Sequence, residues 1–170
     1  MGWIGTYHAY PPGSNTSTEA IIFATNLSGL FDGEAARHPE EEIDRIINRL
    51  GGVGYCFGGK YIPRFLAKDK GIDAGFVAHP SYLTESIVRG VINPLSIASG
   101  TLNEAFNATA KVRAENILDS NNMALRSNLY FGAPHGFAVS VDLSNPVEAY
   151  AKQASFVQAV TWFDTCTLMP

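Results

Sequence analysis

The sequence predicts an α/β fold in which helices cover both faces of a mainly parallel sheet. First, short apolar segments alternate along the chain with amphipathic helical segments, which is the order typical of parallel sheets. Second, charged residues make up only 16% of the sequence, against about 25% in an ordinary soluble domain, and strands buried on both faces explain such a deficit. Third, 170 residues with 46% apolar side chains suit a single domain over residues 1–170.

The predicted strands are short apolar runs, and most of them end in a polar or glycine-rich bend. The first is expected at an edge of the sheet, and the sheet is expected to contain at least five strands. The predicted strands cover residues 3–10, 20–24, 52–55, 74–78, 94–98 and 128–131.

Amphipathic segments between the strands predict four helices. They cover residues 39–50, 60–68 and 104–118 and a stretch from residue 146 onward. Acidic residues in the first turn suit the first helix, and Gly51 and Gly52 are expected to end it. Pro63 removes a backbone donor from the second helix and is expected to kink it.

The last helix has the clearest start. Asn145 is the expected N-cap, Pro146 takes the first helical position and Glu148 completes a capping box. The apolar residues that follow predict the face that packs on the core. That face comprises Val147, Tyr150, Ala151, Ala154 and Val157.

The charge pattern excludes nucleic acid and acidic membrane surfaces as partners. The net charge is −4 and the twelve basic residues are scattered, whereas such partners attract clusters of Lys and Arg. No run approaches the ~18 apolar residues of a membrane span, and no secretory signal opens the sequence. Cys56 and Cys166 alone cannot form a disulfide framework or a thiolate zinc site. A cytoplasmic, reducing location is therefore expected.

Four polar side chains follow predicted strands or the bends that end them. They are Asn26, Cys56, Asn103 and His135. In a parallel sheet the chemistry lies beyond the carboxyl ends of the strands. The sequence therefore predicts a functional site that brings these side chains together.

Cys56 lies in a Gly-x-nucleophile-x-Gly pattern that runs from Gly54 to Gly58. This is the form of a nucleophile elbow, with cysteine in place of serine, between a predicted strand and a predicted helix. The N-terminus of that helix is expected to stabilise the thiolate. The alternative is an inert cysteine that packs as a small buried hydrophobe.

Four short motifs resemble those of the dienelactone hydrolase family, in its fungal branch. They are Gly-Tyr-Cys-Phe-Gly-Gly-Lys at 54–60, Ala-His-Pro-Ser at 78–81, His-Gly-Phe-Ala-Val at 135–139 and Thr-Trp-Phe at 161–163. The similarity runs from about Gly52 to the C-terminus and, more faintly, over residues 18–32. It implies a three-layer α/β-hydrolase fold and a cysteine nucleophile with a histidine base and an orienting aspartate. It also implies small esters or lactones as substrates and no cofactor.

The resemblance assigns roles to individual residues. Cys56 is the nucleophile and His135 the base, and the backbone N–H groups of Leu27 and Phe57 form the oxyanion hole. The rim of the pocket would comprise Asn26, Tyr55, His79 and Ser140.

Three positions depart from the family pattern. Asn103 takes the place of the orienting aspartate, Asn26 replaces an acidic residue, and Ser140 stands where the family has an arginine that helps to hold a substrate carboxylate. An amide oxygen can still accept the histidine N–H, as in the Cys-His-Asn arrangement of papain-like proteases. An attenuated hydrolase that prefers a neutral ester or lactone is therefore expected. Glu104 could replace Asn103 only if its turn reorients.

The chain is shorter than this family between Leu30 and Gly51. The family inserts at least one further strand and helix there, so part of the N-terminal half of the fold is expected to be missing. Loss of such a unit would take a central strand from the sheet, whose neighbours then re-pair or leave an edge open. The shortening and the two asparagines leave a second hypothesis open, a non-catalytic binding or interaction module or a truncated fragment. Assembly into a homodimer is also left open.

Overall fold

A sheet of five strands forms the centre of the protein. The computed structural model describes residues 19–24 and 49–167. The strands are β1 (Glu19–Ala24), β2 (Arg49–Tyr55), β3 (Ala74–Ala78), β4 (Leu95–Leu102) and β5 (Leu125–Pro134). They lie side by side in chain order, and every neighbouring pair is parallel. The prediction of a parallel sheet with at least five strands is confirmed.

In the described residues, four α-helices connect or follow these strands. They are α1 (Ile62–Phe65), α2 (Glu85–Arg89), α3 (Ala108–Ser120) and α4 (Pro146–Thr167). Short 3-10 helices over Cys56–Lys60 and Glu104–Phe106 precede α1 and α3. In the part of the chain that the structure describes, no helix is both long and apolar enough to span a membrane.

Two hydrophobic cores lie on opposite faces of the sheet. On one face, Trp162 of α4 belongs to the same cluster as Phe76 and Tyr130. On the other face, residues of α1, α2 and α3 cluster with Val77 and Ile97. Because successive side chains of a strand point to opposite faces, β3 supplies both cores and is buried along its whole length. The predicted three-layer arrangement is confirmed, and it explains the low charged fraction.

The first two strands of the sheet pair directly with each other. Their register runs without a shift from Glu19 opposite Arg49 to Ala24 opposite Gly54. Of the two outcomes expected from the shortening between Leu30 and Gly51, the described sheet shows re-pairing, since no edge is left open between β1 and β2. Residues 25–48 are long enough for the crossover that a parallel pair requires.

The beginning of β2 corrects the predicted end of the first helix. Arg49 and Leu50 are strand residues, and Gly51 and Gly52 lie inside the strand instead of ending a helix. A Cβ added at Gly52 would lie 2.9 Å from a methyl group of Ile72. Glycine therefore allows Ile72 to pack closely at this position. In the sequence alone, the same glycines resemble the end of a helix. The rest of that predicted helix and the strand over 3–10 lie outside the described residues.

The segment after Cys56 also differs from the prediction. In place of one helix over 60–68, the structure has the 3-10 helix and the four-residue α1. Pro63 lies in the first turn of α1, where its missing N–H needs no intrahelical acceptor, so the predicted kink is absent from this helix. Such short helices offer the thiolate little of the predicted dipole stabilisation.

The last two strands are longer than their apolar runs. β4 continues through the predicted bend at Ser99 and Gly100 to Leu102, because its pairing with β5 continues beyond that bend. The predicted helix over 104–118 is divided at Asn107, whose side-chain oxygen accepts a hydrogen bond of 3.0 Å from the N–H of Ala110 and caps α3.

Helix α4 starts at Pro146 as predicted, but the capping box is not formed, and the buried face also differs from the prediction. The backbone N–H of Asn145 donates to the carbonyl of Asp142 instead of to Glu148. The side chain of Asn145 accepts a hydrogen bond from the N–H of Val147 and donates one to Glu148. Ala151 is buried and Ala154 partly buried, whereas three predicted members of the face are exposed. The exposed members are Val147, Tyr150 and Val157.

Polar residues of α4 occupy part of its buried face. Gln158 donates to the hydroxyl of Ser96 at 2.9 Å and accepts from the hydroxyl of Tyr130 at 2.7 Å. Because these partners satisfy the amide, it can be buried without a large penalty. The prediction from apolar residues alone was wrong for this reason.

Candidate active site

Cys56 lies on a tight turn directly after β2. Its φ angle is 51°, a left-handed conformation that costs a non-glycine residue on the order of 1–2 kcal/mol. A Cβ added at Gly54 would lie 2.7 Å from the carbonyl oxygen of Gly58, so the turn can close only with glycine at that position. The expected strand and strained turn of a nucleophile elbow are present, and a 3-10 helix follows them in place of the expected α-helix.

His135 follows β5 and lies against the sulfur of Cys56. Its Nε2 is 3.1 Å from Sγ, and its Nδ1 is 2.9 Å from Oδ1 of Asn103. Because an amide oxygen only accepts, the Nδ1–H donates to it and Nε2 is left as the acceptor of the thiol proton. One tautomer of the imidazole therefore satisfies both contacts.

Asn103 is placed for this contact by the end of β4. Its side chain is almost completely buried, with 1% exposure. Its Nδ2 has no hydrogen-bond partner among the described residues, and an unpaired buried amide donor costs about 1–3 kcal/mol. Glu104 is exposed at the start of the 3-10 turn that follows, and Asn103 takes the position next to the imidazole.

Partial desolvation by its neighbours favours the neutral form of His135, although the residue is exposed at the surface. Desolvation lowers the pKa of the imidazole below its ordinary value of 6.5. The neutral form therefore dominates at neutral pH. A neutral imidazole with a free Nε2 can act as a base toward the thiol.

His79 lies beneath His135, and the expectation that it lines the rim is wrong. Its ring is fully buried and contacts the rings of Tyr55, His135 and Phe137 at centroid distances of 6.0, 5.1 and 5.5 Å. Neither ring nitrogen has a hydrogen-bond partner within the described residues. Burial, and then repulsion from a charged His135, lowers its pKa to about 4.

This buried histidine makes stability depend on pH. The unfolded chain protonates near pH 6.5 while folded His79 stays neutral to about 4, so the free energy of unfolding should fall as pH drops through this window. A shift of this size corresponds to about 3 kcal/mol. Urea unfolding at several pH values measures the slope, and His79→Asn, which suits the positive φ, should flatten it. The control His135→Gln should keep most of the slope; an equally steep curve for His79→Asn would contradict the assignment.

Ser81 is a neighbour of the sulfur that sequence reasoning missed. Its hydroxyl oxygen is 3.7 Å from Sγ of Cys56, and its N–H donates to the carbonyl of Cys56 at 2.9 Å. The residue belongs to the Ala-His-Pro-Ser motif, and β3 pairs with β2. The pairing of these two strands is the signal that could have placed it here.

The remaining predicted site residues are distributed around this centre. Tyr55 lines a cavity of about 430 Å³ with Ala138, Leu143 and Phe156, a volume suited to a small ligand. Ser140 is exposed on the turn after His135. Phe57 lies in the first turn of the 3-10 helix, where N–H groups lack intrahelical acceptors. Asn26 and Leu27 lie outside the described residues.

Metal ligands are not clustered in the described part of the chain. Residues 19–24 and 49–167 contain no group of three or more His, Cys, Asp or Glu side chains that could hold a metal ion. The chemistry of the described site is that of a thiol, an imidazole and an amide.

Comparison with known proteins places the chain in a family. A sequence model described as the Dienelactone hydrolase family matches residues 7–167. Hydrolase tropI of Talaromyces stipitatus is 37% identical over 150 residues, which make up 81% of this chain and 59% of that protein. The chain spans about half the length of the curated relatives that it matches.

Two solved structures share the fold at low sequence identity. The carboxylesterase Cest-2923 from Lactobacillus plantarum has a TM-score of 0.55 at 13% identity, and 72% of this chain aligns with 60% of that chain. MGS-M1, an alpha/beta hydrolase enzyme from a Medee basin deep-sea metagenome library, has a TM-score of 0.53 at 13% identity, with 72% and 56% aligned. The fold is that of the α/β hydrolases, and the chain belongs to the dienelactone hydrolase family.

Proposed function

We propose that the protein is a carboxylic ester hydrolase that cleaves a small ester or lactone through a thioester at Cys56. The observation that carries the proposal is the chain of contacts from Sγ through His135 to Asn103, with distances of 3.1 and 2.9 Å. A nucleophile, a base in reach of it and a group that orients the base are the signature of covalent catalysis. Membership in a family of hydrolases supports the same activity.

Acylation begins when Nε2 of His135 accepts the thiol proton and Sγ attacks the carbonyl carbon of the ester. The oxyanion would be held by the N–H of Phe57 and, in our proposal, by that of Leu27. When the tetrahedral intermediate collapses, the bond to the alkoxy oxygen breaks and the leaving alcohol takes the proton from His135. A water molecule that gives its proton to His135 then attacks the thioester carbonyl, the C–S bond breaks as Sγ takes the proton from His135, and the acid leaves the regenerated thiol.

Asn103 orients the imidazole without adding a negative charge. A thiol loses its proton more readily than a serine hydroxyl, so a cysteine nucleophile depends less on a carboxylate behind the histidine. The amide is nevertheless a weaker partner than a carboxylate for the imidazolium that forms during each step. The hydrolase is therefore expected to be attenuated.

The surroundings of the site favour a neutral substrate. Ser140 offers no cation where the resemblance implies an arginine, so a strongly anionic lactone has lost one partner. The cavity beside Tyr55 is lined by apolar and aromatic side chains together with Lys152, Gln153 and Ser155, and the ammonium group of Lys152 donates to the carbonyl oxygen of Val139. A small aryl ester or a neutral lactone matches these features best.

The test is to trap the acyl-enzyme with the parent protein. A panel of aryl acetates and neutral lactones is added, the reaction is quenched in acid, and intact mass followed by peptide mapping locates the acyl group. One acyl group is expected on Cys56, an acetyl group from an aryl acetate or the ring-opened hydroxyacyl chain from a lactone. Cys166 is the internal control, because burial raises the pKa of its thiol. Turnover without acylation, or acylation at Cys166, would overturn the proposal.

One observation favours a second candidate, a non-catalytic binding or interaction module. The uncharged Asn103 stands behind His135 where a carboxylate would strengthen the base. Alkylation of Cys56 by iodoacetamide across pH separates the candidates. A rate that rises well below the ~8.5 of a free cysteine supports the enzyme, and ordinary titration supports the module.

A further inference from the structure

The loop that follows β3 is hydrogen-bonded to the elbow that contains Cys56 and packs against it. The N–H of Ser81 donates to the carbonyl oxygen of Cys56 at 2.9 Å. A Cβ added at Gly59 would lie 2.6 Å from Cβ of Pro80, so loop and 3-10 helix are in direct contact. These two contacts fix the position of Ser81 relative to the sulfur.

The backbone on both sides of this contact is strained. Cys56, His79 and Tyr82 have φ angles of 51°, 38° and 56°, and each is a non-glycine residue in the left-handed region. Such conformations cost about 1–3 kcal/mol each and persist where the surrounding structure over-determines them, most often at functional sites. Strain in both segments thus accompanies the approach of Ser81 to Cys56.

The hydroxyl of Ser81 is aimed at the reacting atom. Its oxygen lies 3.7 Å from Sγ, within the longer range of sulfur hydrogen bonds, and Ser81 is only 7% exposed. Within the described residues, Sγ is the partner found for this hydroxyl. A thiolate can only accept, so the O–H donates once the proton has moved to His135.

We propose that Ser81 stabilises the thiolate of Cys56 by donating a hydrogen bond to Sγ, in addition to the contact with His135. This inference rests on the proposed function and adds a further residue to it. Hydrogen bonds to ionised acceptors are about twice as strong as neutral ones. Since Asn103 brings no charge and the helices after Cys56 are short, this donor supplies stabilisation that the site otherwise lacks.

The test compares the pH dependence of Cys56 alkylation in variants of the full chain. Ser81→Ala and Ser81→Gly remove the hydroxyl but keep the N–H that bonds to Cys56, and Ser81→Thr keeps the hydroxyl. The matched control is Ser99→Ala, since Ser99 is buried on β4 and its hydroxyl has no partner among the described residues. Iodoacetamide incorporation at Cys56 is quantified by peptide mass, and thermal unfolding verifies that each variant is folded.

Removal of the hydroxyl is expected to shift the alkylation midpoint upward by about one pH unit and to slow alkylation at neutral pH about fivefold to tenfold. Ser81→Thr and Ser99→Ala should follow the parent curve. Folded Ser81→Ala and Ser81→Gly proteins with the parent curve would overturn the inference. Alkylation needs no ester, so the two proposals can fail separately. If the Ser81 variants shift the midpoint but the parent protein hydrolyses no ester, only the proposed function is contradicted. If the parent protein hydrolyses esters and the midpoint is unshifted in the variants, only the role of Ser81 is contradicted.

Discussion

Replacement of Cys56 by alanine is expected to lower kcat/KM for aryl ester hydrolysis about a thousandfold or more. The variant loses the atom that forms the thioester, and what remains is the binding of the ester and polarisation of its carbonyl group by backbone N–H groups. A thousandfold loss corresponds to about 4 kcal/mol of transition-state stabilisation. Initial rates measured with the same ester panel, together with the absence of an acylated species in the mass spectrum, check this result.

The second cysteine provides a matched control for this variant. Cys166 is buried near the end of α4, in the core that contains Trp162 and Phe76. Cys166→Ala removes a thiol far along the chain from the elbow and keeps the carbonyl that accepts a hydrogen bond from Arg49. Its activity should equal that of the parent. A Cys56→Ala protein that hydrolyses esters as fast as Cys166→Ala would refute the nucleophile.

The second large effect is an increase in esterase activity, which we expect for Asn103→Asp. The carboxylate would lie against Nδ1 of His135, 2.9 Å from the present amide oxygen. An opposite charge at this distance raises the pKa of a histidine and stabilises the imidazolium. Esterase activity should rise at least about tenfold, or about 1.4 kcal/mol of barrier. Because the imidazolium then persists to higher pH, the alkaline limb of the kcat/KM profile should move upward.

The control for the increase in activity is a second Asn→Asp variant, which adds the same charge at a position that does not contact His135. Asn107→Asp keeps an acceptor at the N-cap of α3, where Asp and Asn are about equally good caps. Its profile should match that of the parent. Unchanged activity in a folded Asn103→Asp protein would mean that burying the carboxylate costs as much as its charge contributes, and lower activity would mean that the amide is the better partner; either result would contradict the prediction.

The meeting of Cys56, Asn103 and His135 could be predicted from the sequence because each follows a strand of one parallel sheet. The carboxyl ends of such strands share one edge, so short apolar runs and their terminal residues suffice to place the three together. The contacts of 2.9 and 3.1 Å are what this placement predicts. Their catalytic roles stay predictions until the variants are measured.

The burial of His79 could not be predicted in the same way. The rings that enclose it belong to Tyr55, His135 and Phe137, which come from other strands and loops. A histidine after a strand resembles a rim residue when its own segment alone is considered. Its position beneath the site depends on how these separate segments pack against one another.

The glycines of β2 and the buried face of α4 were misread for a related reason. Gly51 and Gly52 follow a helical pattern and look like a stop, yet the strand needs Gly52 because Ile62 and Ile72 pack against it. Gln158 looks like a surface residue, yet Ser96 and Tyr130 satisfy it inside the core. Local propensity yields to tertiary contacts at these positions.

The complete burial of β3 has a consequence for how the site can fail. All five of its residues are buried, and it pairs with a strand on each side, so its amide protons can exchange with solvent only when the whole domain opens. The loop that contains His79 and Ser81 directly follows this strand. The site is thus attached to the strand that we expect to open last. A destabilising substitution elsewhere should therefore lower the fraction of folded molecules but leave the site undistorted in the molecules that remain folded.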